Sequence, residues 1–576
     1  MTTIIQRSVL RKIPNFPGKR QTRCRRFSAR AVQDFDVVIV GGGPVGLALA
    51  SGLGSNKLVR ESVKIALVEA GDLSKIRDWA LPRHTYSNRV SSITNASRVF
   101  LEGIGVWAHV DQSRTSPVRE MQVWDGLSDA RIVFDAADLP SISHTNPESN
   151  EMARLTENLN LQRALLWHLD SMSGLQLLQK VKVESIQRED RESGHGWPLV
   201  HLSDGSTLRA RLLTPSPKVG ADGFNSPVRT FAGVASYGWS YDAQAVVATL
   251  NHPPRGAFQG PNHTAYQRFL PTGPIAFLPL SPTVSSLVWS TKPPLAAALC
   301  NSDSAVLANM INVAFRLPEV SVRYLHQIIL DAHSSGQSIS SEDICNEIAF
   351  RERSHQIPGY SAYASISSSL SSGVPPSDAM VVPPLVTSIQ SGTIASFPLR
   401  YNHADSYLGE GAGSRTVLIG DAAHTIHPLA GQGLNLGLGD VECLVRYITQ
   451  SLANGGDIGS YTALRPYAAE RYFTNHKVMS AIDKLHKLYS STLDPIVWAR
   501  SVGVEVLNEL DSVKAALMMD AGAGSQQRSG WDFLAGGMEG IARGVGTARV
   551  MSQGIGEAVN SGIGQLARNL GGRFLG

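Results

Sequence analysis

The chain has 576 residues, 43% of them hydrophobic and 17% charged, with a formal net charge of +4. A chain of this size and balance buries a sizeable core, which excludes an intrinsically disordered or fibrous protein. Its four cysteines (Cys24, Cys300, Cys345, Cys443) have no CxxC or ligand-like spacing, which excludes a disulfide framework or structural zinc and suits a reducing compartment.

In chain order, residues 1–33 carry nine Lys or Arg side chains before the first acid, Asp34. This basic, acid-free segment, amphipathic around Ile4, Ile5, Val9 and Leu10, reads as a mitochondrial transit peptide, with a nucleic-acid-binding arm or a disordered tail as the alternative. The run DFDVVIVGGGPVGLALASGL follows: Val37–Val40 predicts a buried strand, Pro44–Leu53 a helix, and IALVE, ending at Glu69, a second strand. The uncharged stretch from Val37 to Asn56 is long enough to tempt a hydropathy scan. Its six glycines and Pro44 make it strand, turn and helix instead.

Gly41, Gly43 and Gly46 form GxGxxG between that strand and helix. The spacing gives a tight turn, a close backbone approach to a pyrophosphate and close helix–strand packing, while Glu69 stands where an acid accepts ribose hydroxyls. Residues 118–135 and 240–292 alternate apolar and polar positions and predict antiparallel strands; NLQRALLWHL, 160–169, has helical spacing. Residues 331–392 are Ser-rich with little periodicity and predict a long flexible loop.

The stretch VLIGDAAHTIHPLAGQGLNLGLGD, Val417–Asp440, holds five glycines and no Lys or Arg. VLIG predicts a strand with Gly420 and Asp421 at its end, and a second helix begins near Gly433. A long dinucleotide with a ribityl arm needs a second contact zone of this kind, with Asp421 on hydroxyls and the backbone of Gly431, Gln432, Gly433 and Asn435 against a ring. His424 and His427 are poor metal ligands without a nearby carboxylate pair, so no metal is expected. The tail from Gly530 to Gly576 spaces apolar residues and arginines among glycines, a weak pattern for a membrane-surface segment.

VVIVGGGPVGLALA, VGADGFNSPVR (219–229) and VLIGDAAHTIHPLAGQGLN together resemble the three signatures of the flavoprotein aromatic hydroxylases of the para-hydroxybenzoate hydroxylase type. The resemblance implies FAD as cofactor, Asp222 near its pyrophosphate and Asp421 on its ribityl chain. It also implies FAD contacts for Arg89 in SNRVSSIT and Gln162 in NLQRALL, and a place for His427 and Pro428 beside the flavin ring. FLPTGPIAFLPL, ASFPLRYNHADSY and the segment 497–524 are similar to the ubiquinone-biosynthesis hydroxylases. Their mitochondrial branch acts on C5 of a polyprenyl hydroxybenzoate.

What this implies is an FAD-dependent monooxygenase using O2 through a flavin C4a-hydroperoxide. No second GxGxxG follows a strand, so no separate NAD(P)H domain is expected, and the resemblance implies that electrons come from a mitochondrial ferredoxin and its reductase. It also implies a peripheral place on the matrix side of the inner membrane, among other ubiquinone-biosynthesis proteins, without nucleic acid. Phe269, Pro271, Phe277, Leu278 and Leu280 are the candidate apolar wall for the substrate. Competing readings are an NAD(P)H-dependent phenol or salicylate hydroxylase and a non-catalytic flavin-fold scaffold subunit. Pro215 and Pro217 stand where the family has an uninterrupted strand; proline cannot donate to a ladder, so either that strand starts late or the sequence carries an insertion there.

The expected fold is α/β: a Rossmann-like FAD-binding domain (34–117, 151–235, 393–450) with an inserted mixed or antiparallel sheet domain (118–150, 236–330). The Ser-rich insertion (331–392), C-terminal helices (451–524) and a Gly-rich tail (525–576) complete it.

Overall fold

The computed structural model describes residues 32–139, 150–190, 196–215, 226–256, 260–366 and 376–510, with Lys514, Leu517 and Met518. The transit-peptide segment (all but Val32 and Gln33), the Gly-rich tail, Pro217 and Asp222 lie outside the described residues.

β1 (Gln33–Val40) leads through the glycine loop into α1 (Pro44–Ser55), and β2 (Ile65–Glu69) returns parallel beside β1. β3 (Val90–Thr94) pairs antiparallel with Ala153–Glu157, from which α2 (Asn158–Asp170) continues. β4 (Thr207–Pro215) runs parallel to β1 on its other side. Among the described residues β1, β2 and β4 belong to a six-stranded sheet, with Leu175–Gln179 beyond β2 and a hairpin beyond β4, whereas β3 and Ala153–Glu157 lie in a separate three-stranded sheet. Val37, Val38 and Ile39 are fully buried, as a central parallel strand covered on both faces requires. Pro44 sits in the first turn of α1, where its missing N–H costs nothing. Every residue of α1 from Pro44 to Gly54 is buried.

The prolines before Asp222 do not disturb the strand leading to them. β4 stays in register to its last residue, with Pro215 opposite Val40. A proline at a strand's end leaves the preceding ladder intact.

A second sheet holds β5 (Ser236–Asn251), β6 (Thr264–Leu270), β7 (Gly273–Pro279) and β8 (Val284–Thr291), in the order β5-β8-β7-β6, with Glu120–Asp125 parallel to β6 at one side. Side-chain alternation splits its two faces. Val246, Tyr266, Ile275, Phe277, Leu287 and Trp289 pack into one core with Leu307, Ile311, Phe315 and Val322 from a helical layer. The opposite face carries Val123, Ile132 and Phe269 toward the C-terminal helices.

Two domain expectations change here. Ala395–Ala404 pairs with β5, and Ser388–Ile389 pairs with its far end, so these residues belong to the second sheet rather than to the insertion or the dinucleotide domain. The Ser-rich insertion is not simply a loop, because Ser341–Ser354 is a helix. Ser340 accepts the N–H of Asp343 at 3.0 Å and donates its hydroxyl to the Asp343 carboxylate at 2.7 Å, a reciprocal N-terminal cap. Ile344 and Ile348, one turn apart, then enter the helical core.

α3 (Gly433–Ala453) packs against α1, and α4 (Tyr461–Ser490) against α3. α5 (Asp494–Asn508) is fastened to the second sheet by Arg500, whose guanidinium meets the Asp125 carboxylate at 2.7 and 3.0 Å while also donating to two carbonyls. Among the described residues no helix is long and apolar enough to cross a membrane.

Candidate active site

The glycine loop is held by backbone and one acid. Gly41 has φ of +116°, a conformation that disfavours any side chain, and donates to the Val68 carbonyl at 2.8 Å. Gly42 donates to Glu69 Oε2 at 2.7 Å, and Gly71 donates to the other carboxylate oxygen. A Cβ at Gly42 would come within 3.0 Å of the Glu69 side chain. Glu69 is therefore a strut for the loop. Gly43 caps α1 and Gly46 is buried within it. Gln162, on α2, points its amide at the Gly42 carbonyl at 3.4 Å. Arg89 is exposed just before β3, and its carbonyl accepts from Asn158 N–H at 3.0 Å.

The second glycine-rich zone adjoins the first. Val417, Leu418 and Ile419 are fully buried, and Val417 donates to the Leu213 carbonyl of β4 at 3.0 Å, so Asp421 emerges at the same end of the sheet as the Gly41 loop. A Cβ at Gly420, where φ is +54°, would lie 3.3 Å from Val45 in the first turn of α1. Asp421 is half-buried, and its carboxylate has no hydrogen-bonding partner among the described residues. Burial pushes its pKa up to about 6, partly offset by the neighbouring His424. The described end of the middle signature reaches the same place: Ser226 caps a short helix, and the buried Arg229 extends to the Ala422 carbonyl at 3.4 Å.

Beneath this surface lies a buried polar cluster that sequence reading missed. Asp440 takes the Gly420 N–H at 2.9 Å, His424 Nε2 at 2.7 Å, Arg471 Nε at 2.8 Å and Asn475 Nδ2 at 2.9 Å. Although burial opposes it, His424 and Arg471 hold the carboxyl well below the usual carboxylate range. Tyr467 Oη donates to the Leu418 carbonyl at 2.7 Å. Together α3 and α4 grip the backbone on which Asp421 is mounted.

The chain then turns toward the second sheet. His427 Nδ1 accepts the Leu429 N–H at 3.1 Å, capping a short turn that begins with Pro428. Gly431 is left-handed, φ +60°, and α3 starts at Gly433 after Gln432, so its first-turn N–H groups lack i−4 carbonyls and remain available to a ligand. A Cβ at Gly433 would meet nothing nearer than Ile426 at 3.6 Å, so protein packing alone does not demand glycine there. The Asn435 side chain, unlike the backbone expected at the cofactor, is spent on protein: its amide donates to the Ser92 and Gly431 carbonyls and accepts from Thr94 N–H, tying α3 to β3.

The wall candidates do not act together. Phe269 stacks on Tyr489 at 3.9 Å beside Leu429, and Pro271 is half-buried at the adjoining hairpin. Leu278 and Leu280 pack with Tyr86, Val118 and Leu155. Phe277 lies on the opposite face in the helical core, because it pairs with Tyr266 and the strand period of two turns it away from the turn at Pro428. A separate cavity of about 300 Å3, lined partly by Glu410, Arg415, Ser460 and Tyr461, contains none of the candidate residues. Among the described residues no group of three or more His, Cys, Asp or Glu could hold a metal ion.

Comparison with known proteins gives this geometry a family. The FAD binding domain family matches residues 34–298 and 379–480. The chain is 36% identical over 525 residues to ubiquinone biosynthesis monooxygenase COQ6, mitochondrial, of Schizosaccharomyces pombe, covering 89% of this chain and 98% of that protein. It is 34% identical over 500 residues to the Homo sapiens protein of that name, covering 86% and 94%. Among solved structures, p-nitrophenol 4-monooxygenase PnpA from Pseudomonas putida DLL-E4 aligns with a TM-score of 0.55 at 16% identity, over 86% of this chain and all of that one, which shows the shared fold. A carboxylate without a hydrogen-bonding partner among the described residues meets a glycine loop at one sheet end, and the chain belongs to the ubiquinone biosynthesis monooxygenase family of FAD-binding proteins.

Proposed function

We propose that this chain is an FAD-dependent monooxygenase that hydroxylates C5 of a polyprenyl hydroxybenzoate in ubiquinone biosynthesis, with electrons delivered by a ferredoxin and its reductase. It would act peripherally on the matrix side of the mitochondrial inner membrane, beside other enzymes of the same route. The observation that carries the reading is Asp421, a half-buried carboxylate with no hydrogen-bonding partner among the described residues, set against the α1 entry turn. Such a group is costly unless a ligand supplies hydroxyl donors. The curated relatives, matched along nearly their whole length, support the substrate class.

The fit to FAD is good. The Gly41–Gly43 loop and the start of α1 would hold its diphosphate, Glu69 and Gln162 flank that loop, and Arg89 lies at the entry to β3. Asp421 would take ribityl hydroxyls, and the first turn of α3 from Gly433 would face the ring. Bound FAD, once reduced, would supply the electrons that activate O2 for ring hydroxylation, which no side chain here can do. The protein's own contributions are positional. α3 and α4 fix Asp421 through Asp440. The first-turn N–H groups of α3 favour negative charge where the ring lies. Phe269, Leu429 and Tyr489 form an apolar surface that excludes water.

The test is threefold. Purified protein should show the visible bands of oxidised flavin. Anaerobically, ferredoxin with its reductase should bleach those bands while NADPH alone should not. A deletion strain should accumulate the prenylated ring lacking the C5 hydroxyl. Rapid bleaching by NADPH alone would instead favour the catabolic phenol hydroxylases.

A further inference from the structure

Beside the turn at Pro428, two imidazoles face each other with unused nitrogens. His427 and His486 have ring centroids 4.7 Å apart, inclined by 33°. His427 is fully buried, and its Nε2 has no hydrogen-bonding partner among the described residues; His486 Nδ1 is likewise buried and without a partner among them. Since His427 Nδ1 accepts the Leu429 N–H, the neutral ring carries its proton on Nε2 and presents an unsatisfied donor. Burial keeps the ring neutral, drawing His427 down to about 3, and lowers His486 as well. Tyr241 closes the third side, edge-on to His427 at 5.2 Å and to His486 at 4.9 Å. Its own hydroxyl is committed to Asp483 at 2.9 Å, and Asp483 also meets Lys487 at 2.7 Å, so neither group of that pair is spare for the imidazoles.

With His486 in the tautomer that leaves Nδ1 unprotonated, the buried His427 N–H and this second nitrogen call for a group that both accepts and donates one hydrogen bond. A hydroxyl does this; a carboxylate or an ether does not. Two nitrogens joined through one oxygen stand at most about 5.6 Å apart, a span that rings centred 4.7 Å apart can cover. The location is on the substrate side: Leu429, next in the turn, packs with Phe269 and Tyr489, the part of the sheet wall that faces α4. We propose that His427 Nε2 and His486 Nδ1 form a hydroxyl-binding pair that takes the phenolic hydroxyl of the aromatic substrate and so fixes which ring edge is presented for reaction. This rests on the substrate class proposed above and adds to it the requirement for a free ring hydroxyl.

The experiment titrates FAD-loaded enzyme with 4-hydroxybenzoate carrying a short prenyl chain, and with its 4-methoxy counterpart, following the perturbation of the flavin absorption bands. Wild type should bind the phenol about tenfold more tightly than the methyl ether, the worth of one well-placed hydrogen bond. His427→Asn keeps an acceptor for the Leu429 N–H, and His486→Phe keeps a ring on α4. Each should lose the phenol preference while retaining its FAD content, its thermal midpoint and its affinity for the ether. If wild type discriminates and both variants discriminate equally well, the pair does not hold the hydroxyl and the inference is overturned. Equal affinity of wild type for phenol and ether also overturns it, since the pair then holds only water. Wild type that binds neither ring overturns the substrate reading itself, and this inference with it.

Discussion

Asp421 and Asp440 bracket one glycine-rich segment and live under opposite rules. Asp440 is fully buried and takes hydrogen bonds from Gly420, His424, Arg471 and Asn475. Asp421 is less deeply placed and has no hydrogen-bonding partner among the described residues. Their pKa values move apart accordingly, Asp440 below the usual range and Asp421 up to about 6. A satisfied buried carboxylate stabilises a fold; an unsatisfied one is strain held in readiness for a ligand. The FAD-free protein is the state in which the two differ most.

The comparison breaks most forcefully at Asp440. Asp440→Ala leaves Arg471 buried with one hydrogen-bonded charge partner gone and the Gly420 N–H without its acceptor. Loss of one member of a buried pair costs about 3–5 kcal/mol. The FAD-free variant should therefore melt far below wild type in a thermal scan; a midpoint within a degree or two would mean the cluster is not structural. Next in size is Gly437→Ala. Its Cβ would stand 2.7 Å from Val45 Cγ2, forcing α3 away from α1, a misfit worth about 1–3 kcal/mol and visible in denaturant unfolding with or without FAD.

How much of this was legible follows from where each signal lives. The loop Gly41–Gly46 and the stretch around Asp421 were readable because their chemistry is local: strand, turn and helix lie within one short run of sequence. The Asp440 cluster was not, since Arg471 and Asn475 look like an ordinary polar pair one turn apart until α4 is laid against α3. A signal was available all the same. Asp440 falls among Leu436, Leu438, Val441 and Leu444, and an acid on an apolar helical face needs a buried partner. The Ser-rich insertion failed for a different reason. Serine composition outweighed the Ser340–Asp343 cap and the Ile344/Ile348 spacing that together define a helix start. Phe277 was misassigned because a hydrophobic strand covered on both faces does not say which face a residue takes; only the register with Tyr266 decides it.

Asp421→Asn sharpens the contrast by reversing its sign. In the FAD-free wild type, the raised carboxyl pKa favours the fold below the ordinary value of 3.8, and that contribution is lost as pH rises toward about 6. The neutral asparagine does not titrate. The variant's melting midpoint should thus exceed that of wild type at pH 8, with the gap closing between pH 6 and pH 4. Its FAD affinity should fall at the same time, measured by flavin released on gel filtration. A pH-independent gap would assign the effect to something other than this carboxyl.

The smallest effect on the FAD-free fold, and the most selective for the ligand, belongs to Gly433. Its Cβ position is open, with Ile426 at 3.6 Å the nearest atom, whereas that of Gly437, one turn along α3, is closed by Val45. Gly433→Leu should leave the FAD-free melting midpoint almost unmoved, within the roughly 0.5 kcal/mol typical of changes that disturb no packing. Purified, it should be colourless, because the added side chain would occupy the face that the ring needs. Two glycines on one helix then separate two demands. On that outcome Gly437 is small because protein packs against it, and Gly433 because the bound ring would. A yellow Gly433→Leu enzyme with wild-type flavin content would leave the open face unexplained by FAD and move the ring to another part of the groove.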